Sequence, residues 1–364
     1  MRRTRIVAAT ATLALAATTA VLVPASQAAA PKPKTLAKNL VAPLSVAIDD
    51  DGTAYVTQNF AGTLSRVAPG KKPKTVYASK GGNEVGGVSV FHGKVVFTET
   101  KSDAQGNPKK SWVKWITPSG KVKTLANVRK YENKKNPDGD VMYGVRGITD
   151  ECAAQWPTEE AGPATHPGIP DSHPYSTYQV DEGTVFVADA GMNAVLSISP
   201  KGKIRTLAVL PPAAVKITAP LAAGAGIPDC AVGLTYYSEP VPTDVQKAGK
   251  GKLLVTTEGG GLGEMMPLGG VYRVPMKGGK AKQVAGGLFA PTGLAVAANG
   301  DVYVAQLFGG EISRIKHGTK KVRTYAKAKL PAAVEWTPDG LYATTKVLGP
   351  EGKPPTGKLV RFGR

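Results

Sequence analysis

The chain has 364 residues, a formal net charge of +19 and only 6% aromatic residues. Its lysines are dispersed through apparent turns and are not interleaved with aromatic side chains, which argues against a protein that stacks on single-stranded nucleic acid. The two cysteines form no Cys-x-x-Cys pair, so the composition also argues against a cysteine-ligated zinc site.

Residues 1–28 have the pattern of a signal peptide. Arg2, Arg3 and Arg5 precede an uncharged, Ala-rich run, and the small residues Ser26 and Ala28 fit a cleavage site. A membrane anchor is disfavoured because the run is not a stretch of about 20 strongly apolar residues. We therefore expect a secreted protein with no transmembrane segment after cleavage, in which 29–364 form one monomeric domain.

The exported part carries an internal repeat of short strands separated by X-Gly turns. Pairs such as Asp51-Gly52 and Asn299-Gly300 supply the positive φ that tight hairpins need. A near-continuous apolar strand follows each turn, which is typical of sheets packed on both faces. The six copies of this second strand are 54–57, 95–98, 185–188, 253–256, 302–305 and 341–344.

The fourth strand of the repeat predicts how the fold closes. It has five copies, and the last unit stops at Phe362 without one, whereas 34–37 at the other end of the exported chain has the missing pattern. An N-terminal strand that completes the last blade would hide the free edges of the first and last repeats. The sequence therefore predicts an all-β fold, a six-bladed β-propeller closed by its N-terminal strand.

Two stretches, at about 131–171 and 211–241, interrupt the repeat and contain Cys152 and Cys230 respectively. We expect them to be long inter-blade loops joined by a Cys152–Cys230 disulfide, because an oxidising compartment permits the bond. A metal site or a nucleophilic thiol is the alternative use of these cysteines. Loops of this length are usually functional or disordered, and a covalent link argues against disorder.

Two segments carry a resemblance to known families. The run 187–193, Val-Ala-Asp-Ala-Gly-Met-Asn, resembles the centre of the NHL-type repeat, and the run 291–310 resembles the secreted ScyD/ScyE family, as do 241–245 and 173–175. The resemblance covers the exported chain from about Lys34 onward. It implies a secreted propeller and supplies no catalytic residues.

The loops that follow each second strand and those that join blades are expected on one face of a propeller, around its central channel. An acidic and amide-rich ring there could hold a hard cation such as Ca²⁺ on the axis, with Glu99, Asp189 and Glu258 as ligands. The alternative is that these groups cap strands and bind water. The candidate ligand-binding residues of this face are Gln58, Glu99, His173, Tyr175, Asp189, Asp244, Glu258 and Gln306.

No G-x-S-x-G or H-E-x-x-H motif indicates a nucleophile or a zinc protease. The sequence therefore favours a binding or scaffold protein that recognises a small molecule or an anionic cell-envelope polymer on its channel face. The alternative is a metal-dependent lyase or lactonase similar to the streptogramin lyase and the SMP-30-like lactonases, by analogy of fold alone. Adhesion through bulk positive charge is a third reading, and it would weaken with salt.

Overall fold

Short runs of β-branched and aromatic residues separated by glycine turns make the protein almost entirely β. The structure is a computed structural model that describes residues 32–117, 119–181, 183–349, 353 and 356–363. The predicted signal peptide, 1–28, lies outside these residues. Within them no helix is both long enough and apolar enough to cross a membrane.

As far as the structure describes residues 32–198, they contain fourteen strands and three short α-helices. The strands are β1 Lys34–Leu40, β2 Val46–Ile48, β3 Ala54–Gln58, β4 Thr63–Val67, β5 Lys74–Ala78, β6 Glu84–Phe91, β7 Lys94–Ser102, β8 Pro108–Ile116, β9 Val122–Asn127, β10 Met142–Arg146, β11 Thr165–Pro167, β12 Pro174–Gln179, β13 Val185–Asp189 and β14 Ala194–Ile198. The helices are α1 Val128–Lys135, α2 Asp150–Ala153 and α3 Thr158–Ala161.

The second half continues the same pattern. Its strands are β15 Ile204–Val209, β16 Ala213–Lys216, β17 Thr235–Ser238, β18 Pro242–Lys247, β19 Lys252–Thr257, β20 Gly269–Pro275, β21 Lys282–Leu288, β22 Pro291–Val296, β23 Val302–Gln306, β24 Glu311–Ile315, β25 Val322–Lys327, β26 Val334–Thr337, β27 Gly340–Thr345 and β28 Gly357–Phe362. Its helices are α4 Ala219–Ala225 and α5 Gly260–Gly263.

The strands of the described residues form seven four-stranded antiparallel sheets. Five consist of consecutive strands, and we name them the first to fifth sheets: β2-β3-β4-β5, β6-β7-β8-β9, β12-β13-β14-β15, β18-β19-β20-β21 and β22-β23-β24-β25. The sixth sheet, β26-β27-β28-β1, contains both ends of the described chain.

The sixth sheet has the strand pairing that the sequence predicts for residues 34–37. Lys34 lies opposite Arg361 and Leu40 lies opposite Gly357, so β1 covers the edge of β28. Ala37 and Leu40 are buried at this junction. Covering the edge removes a row of unpaired backbone groups that would otherwise recruit another strand.

Neighbouring sheets pack face to face through apolar side chains. Between the third and fourth sheets, Phe186 and Leu207 pack with Val245 and Val255 in one buried cluster. The first strands of the six sheets contact one another in order, β2 with β6, β6 with β12, β12 with β18, β18 with β22, β22 with β26 and β26 with β2. Complete burial of each large apolar side chain contributes about 1.5–3 kcal/mol.

The seventh sheet, β16-β17-β10-β11, is built from the two stretches that interrupt the repeat. Sequence patterns predict long loops here, and the structure instead has a small accessory unit with a core that includes Val145, Trp156 and Ile217. The predicted Cys152–Cys230 disulfide is present, with Cα atoms 5.8 Å apart. The sheet escapes prediction because each segment supplies one antiparallel pair, β10–β11 or β16–β17, whose strands are separated by helices and not by a tight turn. The two pairs then meet only through β10 and β17.

Candidate functional site

The first strands of the six sheets surround a narrow central cavity of about 10 Å³. Residues in or next to all six of these strands line it, and the polar ones include Ser45, Thr177, Thr243, Asp244 and Thr292. A cavity of this size has room for about one water molecule. The axis is therefore too narrow to bind a substrate.

Hydrogen bonds between neighbouring first strands fill the axis. Asp244 accepts one from the Ser176 hydroxyl at 2.5 Å and one from the Leu294 amide at 2.7 Å, so it joins the third, fourth and fifth sheets. Burial raises the pKa of Asp244 to about 6, although these hydrogen bonds oppose the shift. Asp244 is bound within the fold and does not face a ligand.

Three of the predicted channel-face residues are strand caps. Gln58 Oε1 accepts the Val41 amide at 2.8 Å, and Gln306 Oε1 accepts the Phe289 amide at 2.6 Å. The Asp189 carboxylate does the same for the His173 amide at 2.8 Å. In each case the last residue of the second strand accepts a backbone amide from the chain as it enters that sheet. The same position in three sheets therefore makes the same structural hydrogen bond, which agrees with the alternative that these residues cap strands.

Glu99 lies between the first and second sheets in an ion-pair network. Its carboxylate accepts hydrogen bonds from Lys114 Nζ at 2.6 Å, from Asn83 Nδ2 at 2.7 Å and from the Tyr77 hydroxyl. Burial would raise its pKa, but these donors outweigh burial and lower it. Only 3% of Glu99 is exposed, so its charge is neutralised internally.

Sequence reasoning missed a buried acidic group, formed by Glu132 and Asp138, that interacts electrostatically with Asp189. Glu132 of α1 is fully buried, and burial together with the charges of Asp189 and Asp138 raises its pKa to about 8. Asp138 is held by the Tyr143 hydroxyl at 3.1 Å and by Asn193 Nδ2 at 2.9 Å. The sequence by itself suggests only a turn at Asp138, since Asn193 and Asp189 come from a distant part of the chain.

His173 and Glu84 form an ion pair on the channel face, the face on which the second strands end. His173 Nε2 lies 2.8 Å from Glu84 Oε2, and Asn59 Nδ2 donates to Glu84 Oε1 at 2.9 Å. Burial would lower the pKa of His173, but the Glu84 carboxylate outweighs it and raises that pKa to about 9. The same pairing lowers the pKa of Glu84 in spite of its burial. The pair is therefore an imidazolium and a carboxylate at neutral pH.

Tyr175 contacts His173 of this pair and lies within electrostatic range of Glu258. The ring of Tyr175 meets the His173 ring edge-on, with centroids 6.1 Å apart. Burial raises the pKa of Tyr175, and the charges of Glu258, Glu84 and Asp244 raise it further. The phenol is thus neutral and lies within electrostatic reach of both Glu84 and Glu258.

Glu258 follows β19 and is half-buried. Burial, with a contribution from the charge of Glu264, raises the pKa of Glu258 to about 7. Its carboxyl group has no hydrogen-bond partner among the residues that the structure describes. A half-buried carboxyl group that titrates near neutrality is suited to general acid–base chemistry.

A cavity of about 340 Å³ opens beside the His173–Glu84 pair. Its polar walls include Asp171 and Glu239, and Ile169 contributes an apolar edge. Burial raises the pKa of Glu239, and Arg129 neutralises Asp171 at 3.3 Å. This volume suits a small organic molecule, since ligand cavities begin at about 300 Å³.

The channel face does not fit the predicted metal site. Over the described ranges, no three His, Cys, Asp or Glu side chains come together in a way that could hold a metal ion. Glu99 is paired with Lys114, and both oxygens of Asp189 accept hydrogen bonds, so neither is free to join Glu258 around one ion. Ca²⁺ needs six to eight oxygen ligands, which the narrow axis does not offer.

No family model matches the chain, and no curated protein matches it. Solved structures do. The oxidoreductase (glucose dehydrogenase) of Thermus thermophilus is 15% identical with a TM-score of 0.55, covering 91% of this chain and 99% of its own. The gluconolactonase of Xanthomonas campestris is 10% identical with a TM-score of 0.54, covering 91% of this chain and 89% of its own. The soluble aldose sugar dehydrogenase of Escherichia coli is 13% identical with a TM-score of 0.50, covering 91% of this chain and 98% of its own.

The chain has a β-propeller fold. At these identities the likeness concerns the fold alone, so the residues of this propeller must carry any argument about its chemistry. The propeller brings His173, Tyr175 and Glu258 to one neighbourhood, whereas Gln58, Gln306, Asp189 and Asp244 serve its framework. Sequence reasoning missed Glu84 and Asn59, because their contact with each other and that of Glu84 with His173 cross between sheets.

Proposed function

We propose that six of the seven sheets are the blades of a closed propeller and that the seventh is an accessory unit. The order of contacts among the first strands, from β2 round to the β26–β2 contact, supports the ring. The β1–β28 pairing supports its closure by the N-terminal strand. Residues 29–364 are then one domain.

We further propose that the protein is a monomer exported after removal of residues 1–28. The Cys152–Cys230 disulfide supports export, because such bonds persist in oxidising compartments. The positively charged start of the chain and the apolar run that follows it are the pattern of an export signal.

For the activity, we propose a small-molecule enzyme of the lactonase or lyase type that acts on the channel face without a resident metal. The observation that carries this proposal is that a candidate base, Glu258, and a candidate proton donor, His173, both lie near Tyr175. Glu258 has a pKa of about 7, and His173 is held protonated by Glu84. The gluconolactonase of similar fold is named for a lactone substrate, which makes lactones the first class to test.

In the proposed lactone hydrolysis, ionised Glu258 takes a proton from water, and the resulting hydroxide forms a bond to the lactone carbonyl carbon. The carbonyl oxygen becomes an oxyanion. The imidazolium of His173 donates its Nε2 hydrogen to Glu84. Its Nδ1 hydrogen is donated to the oxyanion and stabilises it. When the ring C–O bond breaks, protonated Glu258 returns its proton to the leaving oxygen, and the product is a hydroxy acid.

The test is hydrolysis of a panel of five- and six-membered lactones by the wild-type protein and by Glu258→Gln. We expect the substitution to reduce kcat/KM by about 10²–10⁴-fold, the usual contribution of a general base. Glu264→Gln is the matched control, since Glu264 is an exposed neighbour whose charge raises the pKa of Glu258. Its loss should leave the maximal kcat/KM unchanged and move only the acidic limb of the pH profile to lower pH. Equal rates in wild type and Glu258→Gln would contradict the assignment. EDTA should leave the rate unchanged.

A binding or scaffold protein is the second candidate. It is favoured by the internal hydrogen bonding of Gln58, Gln306 and Asp189, which leaves fewer reactive groups on the channel face than the sequence suggests. Under this candidate a small molecule binds at the 340 Å³ cavity and leaves unchanged. Adhesion to an anionic envelope polymer through the excess of positive charge would instead be lost as salt increases.

A further inference from the structure

A second cavity lies between the fourth and fifth sheets, at the opposite end of their strands from Glu258. Its volume is about 510 Å³, and the turns near Gly249, Gly300 and Gly318 border it. Lys252 opens β19 and lines this cavity, whereas Glu258 follows the other end of the same strand. The length of β19 separates the two sites by roughly 17 Å. Nothing in the chemistry of the channel face uses this cavity.

The floor of the cavity is apolar. Leu254, Val302 and Ile315 belong to the buried cluster between the two sheets, and Val284 and Val296 pack against that cluster. All five line the cavity. They provide an apolar surface that a ligand can cover, which is a source of binding energy proportional to the area removed from water.

The rim of the cavity is cationic. Lys252, Arg273, Lys316 and Lys320 line it and are exposed, and no acidic side chain lines it in the part of the chain that the structure describes. None of these four side chains forms a salt bridge with a residue that the structure describes. The nearby Asp301 carboxylate is bound by Arg314 and by the His317 amide, so it does not neutralise them.

We infer that this cavity binds a small amphipathic anion, a free fatty or aryl carboxylate with one acidic head group. The head group lies among the cationic side chains of the rim, and the apolar body lies on Leu254, Val302 and Ile315. Charge complementarity favours this occupant over an uncharged apolar one, which would leave four cations without a partner. The volume falls within the range of small-molecule sites. A long polyanion would use the charges but not the apolar floor.

Calorimetric titration with sodium octanoate tests the inference, with octan-1-ol as the uncharged ligand of the same length. Octanoate is expected to bind one to one, and octan-1-ol at least about tenfold more weakly. The double variant Lys316→Gln/Lys320→Gln should weaken octanoate binding by about tenfold or more. Lys277→Gln/Lys280→Gln is the matched control, because these exposed lysines lie on a nearby turn outside the cavity.

A third variant tests the location independently of charge. Ala298 is exposed and lines the cavity, so Ala298→Trp should fill it and abolish octanoate binding while leaving the melting temperature unchanged. The inference is overturned if octanoate does not bind the wild-type protein at millimolar concentration. It is also overturned if octan-1-ol binds equally well, or if neither the lysine pair nor Ala298→Trp weakens binding. Glu258→Gln should bind octanoate like wild type, which separates this site from the proposed activity.

Discussion

His173 Nε2 and Glu84 Oε2 lie 2.8 Å apart, although 89 positions separate the two residues in the chain. The pair joins the second sheet to the entrance of the third and holds a positive charge beside Tyr175. Its geometry determines the protonation state of the imidazole, on which both the stability of the channel face and the proposed chemistry depend.

The protonation of His173 should depend on Glu84. In wild type the pKa of His173 is raised to about 9 by the Glu84 carboxylate against the opposing effect of burial. Glu84→Gln removes that charge, so the pKa of His173 should fall toward its ordinary value of 6.5 or below. NMR titration of the imidazole ring protons of His173 in wild type and in Glu84→Gln measures this change. An unchanged titration of His173 would show that Glu84 does not hold its proton.

The same pair should stabilise the fold over a defined pH range. A raised folded-state pKa means that the contribution of His173 is complete below about pH 6.5 and is lost as the pH rises through about 9. Glu84→Gln should therefore reduce the unfolding free energy by roughly 1–2 kcal/mol at about pH 6 and by less at about pH 9.5. Urea denaturation at the two pH values measures the difference. An equal loss at both would indicate a purely steric effect.

The activity should have a bell-shaped pH dependence. Glu258 must be ionised to act as a base, so kcat/KM should rise through a pKa of about 7. His173 must be protonated to stabilise the oxyanion, so kcat/KM should fall above about 9. Initial rates across about pH 5–10.5 measure both limbs. In Glu84→Gln the alkaline limb should move to lower pH, and a limb that stays in place would exclude His173 from the reaction.

The axis contains a carboxyl group whose ionisation should destabilise the protein. Burial and the charge of Asp244 raise the pKa of Glu335 to about 8, above its ordinary 4.5. The folded state therefore binds this proton more tightly than the unfolded state, and stability should fall as the pH rises from about 4.5 to 8. Glu335→Gln should raise the melting temperature at about pH 8.5 and change it little at about pH 4.5. A variant that melts lower at the alkaline pH would contradict this.

Close packing at the axis gives a test of the ring. A Cβ atom on Gly87 would lie 2.4 Å from the Ser176 Cα, across the junction of the second and third sheets. Gly87→Ala should therefore cost about 1–3 kcal/mol of unfolding free energy. Gly224→Ala, on helix α4 with nothing within 4 Å of its added Cβ, is the matched control and should be neutral or stabilising. Thermal melts of the two variants decide whether the junction is as tight as described.

Much of the architecture was predictable because it follows from local patterns. Runs of β-branched residues between X-Gly turns predict the strands of the six sheets, as in β13 and β23. The absence of a fourth strand after Phe362, together with its copy at 34–37, predicts the β1–β28 pairing. The disulfide was predictable from two cysteines in two excursions from the repeat. Each inference needs only the chain order and the period of the side chains.

The candidate site was less predictable, because it depends on which side chains meet across sheets. The sequence predicts Gln306, Asp189, His173 and Tyr175 alike as ligand-binding candidates and does not distinguish among them. Only the tertiary structure separates residues that cap a strand from residues that face a cavity. The two kinds of residue differ in where the side chain points and in which residues surround it. Neither property can be read from the alternation of side chains along one strand.

By itself, then, the sequence determined the repeat and the strands within it, and it predicted the pairing of its two ends and a Cys152–Cys230 disulfide. The tertiary structure decided that the axis is narrow, that Glu99 is neutralised by Lys114, and that His173 meets Glu84. The physical reason is that hydrogen bonding and side-chain alternation within a sheet are local properties of the chain. Contacts between sheets depend on how close the sheets pack and how their faces are aligned, which is settled only when all of them are assembled.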